Sequence, residues 1–469
     1  MKNEKKVSRL WAPLAWIGSG STQRWAYRVL LEIDDSGRWS RIEFDITKEQ
    51  ADSVGAHCVS KPLIPSVINA HSHAFQRAFA GLAERRSSAQ DDFWSWRDRM
   101  YRVALSISPE QLKAVASQLY LELLRGGYTQ VCEFHYVQHS PNGAAYEDSM
   151  MMAWMLLEAA RDVGIGLTLL PVLYERSGFA ATGLRDDQRR FATDARWVID
   201  AERRIAEATR GTLCNAGVAI HSLRAATPAG MEAMINKATG PIHIHVSEQT
   251  GEVDDCLKHT GLRPVQWLTQ HHALDRRWQL VHATHVTLAE IDAVARAGAT
   301  VVLCPTTEAN LGDGLTDLRA WLHAGTSIAI GSDSHVTRDW REELRWLEYG
   351  QRLQLRTRNV AASPDDGVPS TAERLYSKVT ASAAAAGFEA WGVVPGARAD
   401  ALLLDASSSA LLGVPKDRLL DAAIFSSPSS AFADVLVAGQ WRIKKGVHAN
   451  QSAIAAAFSD AMHSIIAND

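Results

Sequence analysis

Eight short apolar runs recur through the middle of the chain, at residues 64–70, 130–134, 166–170, 217–220, 241–245, 279–282, 300–303 and 327–330. Between them lie longer stretches, such as 109–126 and 149–164, whose apolar positions return with helical spacing. A short run without a polar face suits a strand buried on both sides, as in a parallel sheet. Eight such strand–helix units in series predict a (β/α)8 TIM barrel. The two ends of the chain have a different texture. Residues 27–33 precede the turn Asp34-Asp35-Ser36-Gly37, and strand-like pieces at 399–405 and 435–439 are bounded by glycine. These ends predict a small β-sandwich domain built from both termini. Residues 1–62 form its N-terminal part and 63–386 the barrel. Residues 387–469 form its C-terminal part, with an Ala-rich terminal helix over 452–466.

Composition adds little to this picture but excludes several classes. With 469 residues, 46% hydrophobic and 22% charged, the chain is that of a globular protein large enough for a barrel and an appendage. A net charge of −4 gives no sign of the clustered basic surface that a nucleic-acid partner needs. Five scattered cysteines without a C-x-x-C pair predict reduced thiols and a cytoplasmic location. The first residues loosely imitate a signal peptide, but Pro13 interrupts a short apolar run, which reads instead as a first strand. No segment is long enough to span a membrane. The charged run 185–210 reads as a solvated helix face.

Reactive chemistry in such barrels collects at the C-terminal ends of the strands. His71 and His73 end the first run, two apart and therefore on one face, a good start for a zinc site. His245 ends the fifth run and Glu248 follows three residues on, which suits a metal-activated water beside a proton shuttle. His243 lies one layer deeper on the same face and reads as a core histidine. His282 ends the sixth run, with His285 in the loop beyond, and Asp333 ends the eighth. Four strand ends carrying HxH, HxxE, H and D in that order make coincidence a poor explanation.

The order of these motifs resembles the mononuclear deaminase branch of the amidohydrolase superfamily. The stretches His71-Ser72-His73-Ala74-Phe75-Gln76-Arg77-Ala78 and His221-Ser222-Leu223-Arg224-Ala225 look like those of the formimidoylglutamate deiminases, as do shorter matches out to about residue 353. The resemblance implies one zinc per chain on His71, His73, His245 and Asp333. It makes Glu248, His282 and Asp333 catalytic, and Gln76, Arg97, Tyr136, His221 and Arg224 contacts for the substrate. Three neutral imidazoles and one carboxylate agree with this, since they leave an open metal position. Strand four ends in His221 with no lysine nearby, which favours one metal over two. The implied reaction is hydrolysis of N-formimino-L-glutamate to N-formyl-L-glutamate and ammonia, a step of histidine degradation.

Such a substrate carries two carboxylates, for which bidentate arginine is the natural partner. Arg224 sits just past a strand end, and Arg97 lies in the run 92–97, expected to be a loop whose aromatic residues help form a lid. A related aminohydrolase acting on a ring amidine, of the guanine or cytosine deaminase type, is the alternative and would not need these arginines. A non-catalytic barrel used for assembly would lack ligands that this chain has. The expected partner is a small dicarboxylate, with no nucleic acid and no membrane, and a homodimer is one assembly open to the chain.

Overall fold

In the computed structural model, which describes residues 6–84, 93–427 and 432–467, eight parallel strands close into a barrel. They are β1 (Val67–Ser72), β2 (Tyr128–His135), β3 (Gly166–Leu173), β4 (Val218–Ser222), β5 (Ile242–Val246), β6 (Trp278–His282), β7 (Thr300–Leu303) and β8 (Ser327–Ile330). Pairing of β8 with β1 and of β3 with β4 completes the ring. Every residue of β1, β2 and β3 is buried, because helices cover the outside while side chains fill the inside. That is why these strands appear in the sequence as unbroken apolar runs. The intervening helices carry their own boundaries. Ser108 caps the helix Pro109–Arg125 by accepting from Gln111 N, and Gln111 returns a bond to Ser108 N. The helix Met151–Val163 stops at Gly164, whose φ of 78° is a conformation open to glycine.

The two ends of the chain meet in one further sheet. Its strands run in the order Gln440–Ile443, Phe432–Val437, Ala401–Leu404, Leu63–Ile64, Arg9–Ile17, Arg24–Ile33 and Trp39–Glu43, with His57–Cys58 also on Arg9–Ile17. The run expected at 64–70 is therefore divided. Leu63–Ile64 belongs to this sheet, and the barrel strand begins at Val67. Pro65 stands between them, where a residue without an N–H is tolerated because the chain is leaving one ladder for another. The terminal helix Gln451–Ala467 lies against Pro109–Arg125, with Gln111 Nε2 bonded to Ser464 Oγ at 3.0 Å.

This arrangement closes the N-terminal end of the barrel. The turn Ala383–Ala386 offers its carbonyls to the strands above: Ala385 O accepts from His243 Nε2 at 2.8 Å and Ala386 O from Asn215 Nδ2 at 2.8 Å. Arg398 donates to Asp400, to Gln130 Oε1 and to Thr129 O. The chemistry is thereby left to the opposite end.

Two expectations are corrected. Arg97 lies on the helix Phe93–Ser106 rather than in a loop, while residue 92 falls outside the described residues. The charged run is a solvated face only along the helix Ala195–Ala208, where Arg203 pairs with Asp200 and Glu207. Arg190, just before it, is fully buried and donates to the carbonyls of His139, Ala104 and Ile107. Carbonyls of a helix end and of loops needing donors, not water, determine its place. Among the described residues no helix is long and apolar enough to cross a membrane.

Candidate metal and active site

The end of β1 is held between its two neighbours. Asp333 N donates to His71 O at 3.0 Å, and His73 N donates to Asp333 O at 3.4 Å. The strand can lie this close to β8 because residue 331 is glycine: a Cβ there would stand 2.6 Å from His71 Cβ. Three non-glycine residues around the site, Ser247, His282 and Asp333, have φ of 54°, 69° and 44°. Such a conformation is unfavourable for them and persists where the surroundings over-determine it. Here it coincides with the strand ends whose side chains converge.

The convergence has the spacing of a metal site. His71 Nε2 lies 3.0 Å from His245 Nε2, and Asp333 Oδ1 lies 3.4 Å from both His71 Nε2 and His73 Nε2. Tetrahedral ligands about 2.0–2.1 Å from a zinc ion stand about 3.3 Å apart. The outer nitrogens fix the rings. His73 Nδ1 donates to Phe134 O and His245 Nδ1 to His221 O, each at 2.9 Å, so both rings direct an Nε2 lone pair inward. Burial, reinforced by neighbouring rings, pushes the pKa of His71 and His245 well below the usual histidine value. Burial also lowers that of His73. All three are neutral donors beside a carboxylate, a set that fits zinc.

Beside this cluster His282 lies among three carboxyls. Its Nδ1 is 3.5 Å from Glu308 Oε1 and its Nε2 is 3.7 Å from Glu248 Oε1 and from Asp333 Oδ2. Burial opposes a charge on the ring, but these carboxylates outweigh it and raise His282 to about 10. For Glu248, burial pushes upward and the His282 charge pulls back, leaving it near 7. Glu252, in the first turn of the helix Thr250–Thr260, accepts from Glu248 N at 3.2 Å and steadies the backbone there.

One cavity joins these groups. Gln76, Arg97, Tyr136, His221 and Arg224 line it together with His73, His245, Glu248, His282 and Asp333, while His71 lies beneath. The helix Phe93–Ser106 carries Arg97 to its wall, where the guanidinium lies 5.4 Å from the Tyr101 ring centre. Gln76 Nε2 donates to Tyr136 OH at 3.3 Å. His243 stays out of the site, bonded to the floor as expected, and His285 bonds to Asp313 O. Sequence reasoning missed Glu308, whose carboxyl lies 3.5 Å from His282 Nδ1, and the wall residues Met100, Tyr101, Glu252 and Leu311. Glu308 had one available signal: it is a carboxylate in the first turn of a Pro-initiated helix directly after β7.

The sequence model of the Amidohydrolase family matches residues 63–442. The chain belongs to the amidohydrolase family. This amidohydrolase is 42% identical over 457 residues to the formimidoylglutamate deiminase of Pseudomonas aeruginosa, covering 96% of this chain and 98% of that one. The crystal structure of an amidohydrolase from Brucella melitensis superposes with a TM-score of 0.89 at 38% identity, over 98% of this chain and 99% of the other. The 5-methylthioadenosine/S-adenosylhomocysteine deaminase of Natronomonas pharaonis is 26% identical over 350 residues, 73% of each chain. The expected kinship with the formimidoylglutamate deiminases holds, and the protein is a hydrolase. Hydrolytic deamination is the reaction class that this kinship supports.

Proposed function

We propose that this amidohydrolase is a zinc-dependent deiminase that converts N-formimino-L-glutamate and water into N-formyl-L-glutamate and ammonia, as in histidine degradation. The observation that carries the reading is the presence of Arg224 and Arg97 on the wall of the cavity that also contains the histidine–aspartate cluster. A linear substrate with two carboxylates needs such cations, because Glu248 and Asp333 would otherwise repel it. The full-length likeness to the Pseudomonas enzyme supports the same choice.

His71, His73, His245 and Asp333 would hold one zinc. Zinc in such a site supplies a water acidic enough to ionise near neutral pH. Glu248 then takes each proton of the attacking water in turn and delivers it to the departing nitrogen, which leaves as ammonia. A carboxyl with a pKa near 7 can both accept and give that proton. His282, held charged by its carboxylate neighbours, stabilises the negative charge that develops on the attacking oxygen. Arg224 and Arg97 bind the carboxylates, while Gln76, Tyr136 and His221 orient the formimino group. The test is ammonia release from N-formiminoglutamate, N-formiminoaspartate and guanine. Formiminoglutamate should give the highest kcat/KM, and faster turnover of guanine would overturn the reading.

A further inference from the structure

Outside the barrel wall, a second carboxyl grips the strand that carries two of the metal-site histidines. Along β1 side chains alternate, so His71 and His73 face the interior while Ser72 between them faces the covering helices. Glu133, on the neighbouring strand β2, accepts from Ser72 Oγ at 2.7 Å and from Ala74 N. A third donor, Tyr120 OH of the helix Pro109–Arg125, reaches it at 3.3 Å. The next residue, Phe134, takes the Nδ1 proton of His73 on its carbonyl. Two successive residues of β2 therefore hold Ser72 at the end of β1 and the two residues after it, with His73 in the middle. Pairing between the two strands is irregular from Asn69 to Ser72, so the ladder alone does not fix this end.

We propose that Glu133 is a positioning residue, whose carboxyl holds the Ser72 hydroxyl and the Ala74 N–H on either side of His73 and so sets how tightly the metal is held. This rests on the reading of the histidine–aspartate cluster as a metal site. Glu133 touches neither that cluster nor the cavity, and it is 1% exposed. An apolar side chain would fill such a place in a strand more favourably, since burial of a carboxyl is opposed by the loss of its hydration. That opposition is visible in its pKa, which burial raises to about 8 against the bonds from Ala74, Ser72 and Tyr120. The three converging donors account for the carboxyl, and two of them belong to residues flanking His73.

The experiment measures zinc affinity of the full chain by competition with a chromophoric chelator, beside unfolding of the metal-free protein. E133A should weaken zinc binding by about 10–100-fold, the scale found when a partner of a ligand is removed. S72A should weaken it by a smaller factor. E133Q should recover most of the affinity, because its amide oxygen still accepts from Ala74 N and its NH₂ donates to the Ser72 hydroxyl. Parent affinity in E133A, or in S72A should E133A not fold, would overturn the proposal. So would a loss of affinity matched fully by unfolding of the metal-free variant. Failure of the parent to bind zinc would instead overturn the metal site itself, and a different preferred substrate would leave this measurement untouched.

Discussion

Two histidines on β5, two residues apart and on one face, meet opposite surroundings at the two ends of the barrel. At the floor, His243 Nε2 donates to Ala385 O, and burial lowers the ring to about 4. The groups nearby are satisfied in the same way, as Arg398 is by Asp400, Gln130 and Thr129. At the mouth, His245 donates outward through Nδ1, and its Nε2 faces His71 at 3.0 Å. Both rings are neutral. The floor pairs the donors of His243 and Arg398 with acceptors, whereas the mouth gathers acceptor lone pairs at one point. Only the second arrangement leaves something for a cation to bind.

The comparison breaks most visibly if the ligand strand is altered. His71→Ala should remove the metal and lower kcat/KM on the order of 10³-fold or more, read by metal analysis and ammonia release on one preparation. Normal turnover with full zinc would return the mouth to the status of the floor. A smaller loss separates chemistry from binding. Glu248→Gln should keep the metal and lower kcat on the order of 10²-fold, since the amide cannot shuttle a proton. Loss of zinc in that variant would make Glu248 a ligand. Arg224→Met should raise KM and lower kcat/KM on the order of 10²-fold with zinc content unchanged, as expected when a carboxylate loses its partner. Parent-like kinetics on formiminoglutamate would remove Arg224 from recognition. The smallest effect belongs to the floor. His243→Gln should reduce stability by about 1–3 kcal/mol in urea unfolding while zinc and kcat stay at parent levels. Loss of zinc there would mean that the two ends are not separable.

The barrel was legible because parallel strands covered on both faces leave short, uninterrupted apolar runs, as in β2 and β3. The ligand candidates were legible because two-residue spacing fixes a shared face and strand ends fix a shared rim. The division of the run at 64–70 was not, since only tertiary pairing assigns Leu63–Ile64 and Val67–Ser72 to different sheets. The helix Phe93–Ser106 was hidden for a different reason. Phe93-Trp94-Ser95-Trp96 contains none of the strong helix formers, so local preference does not announce the start of this helix. Arg190 and Glu133 show the limit of reading charge as surface. Each is buried against hydrogen-bonding groups distant in sequence, and a charged residue inside an apolar strand, as in Val131-Cys132-Glu133-Phe134, is the one local sign of this.

Zinc per folded chain, measured side by side in the parent, His245→Ala and His243→Ala after purification without chelator, tests the central claim most directly. The account predicts about one zinc in the parent and in His243→Ala, and essentially none in His245→Ala. Zinc at the parent level in His245→Ala, or a parent with none, would contradict it.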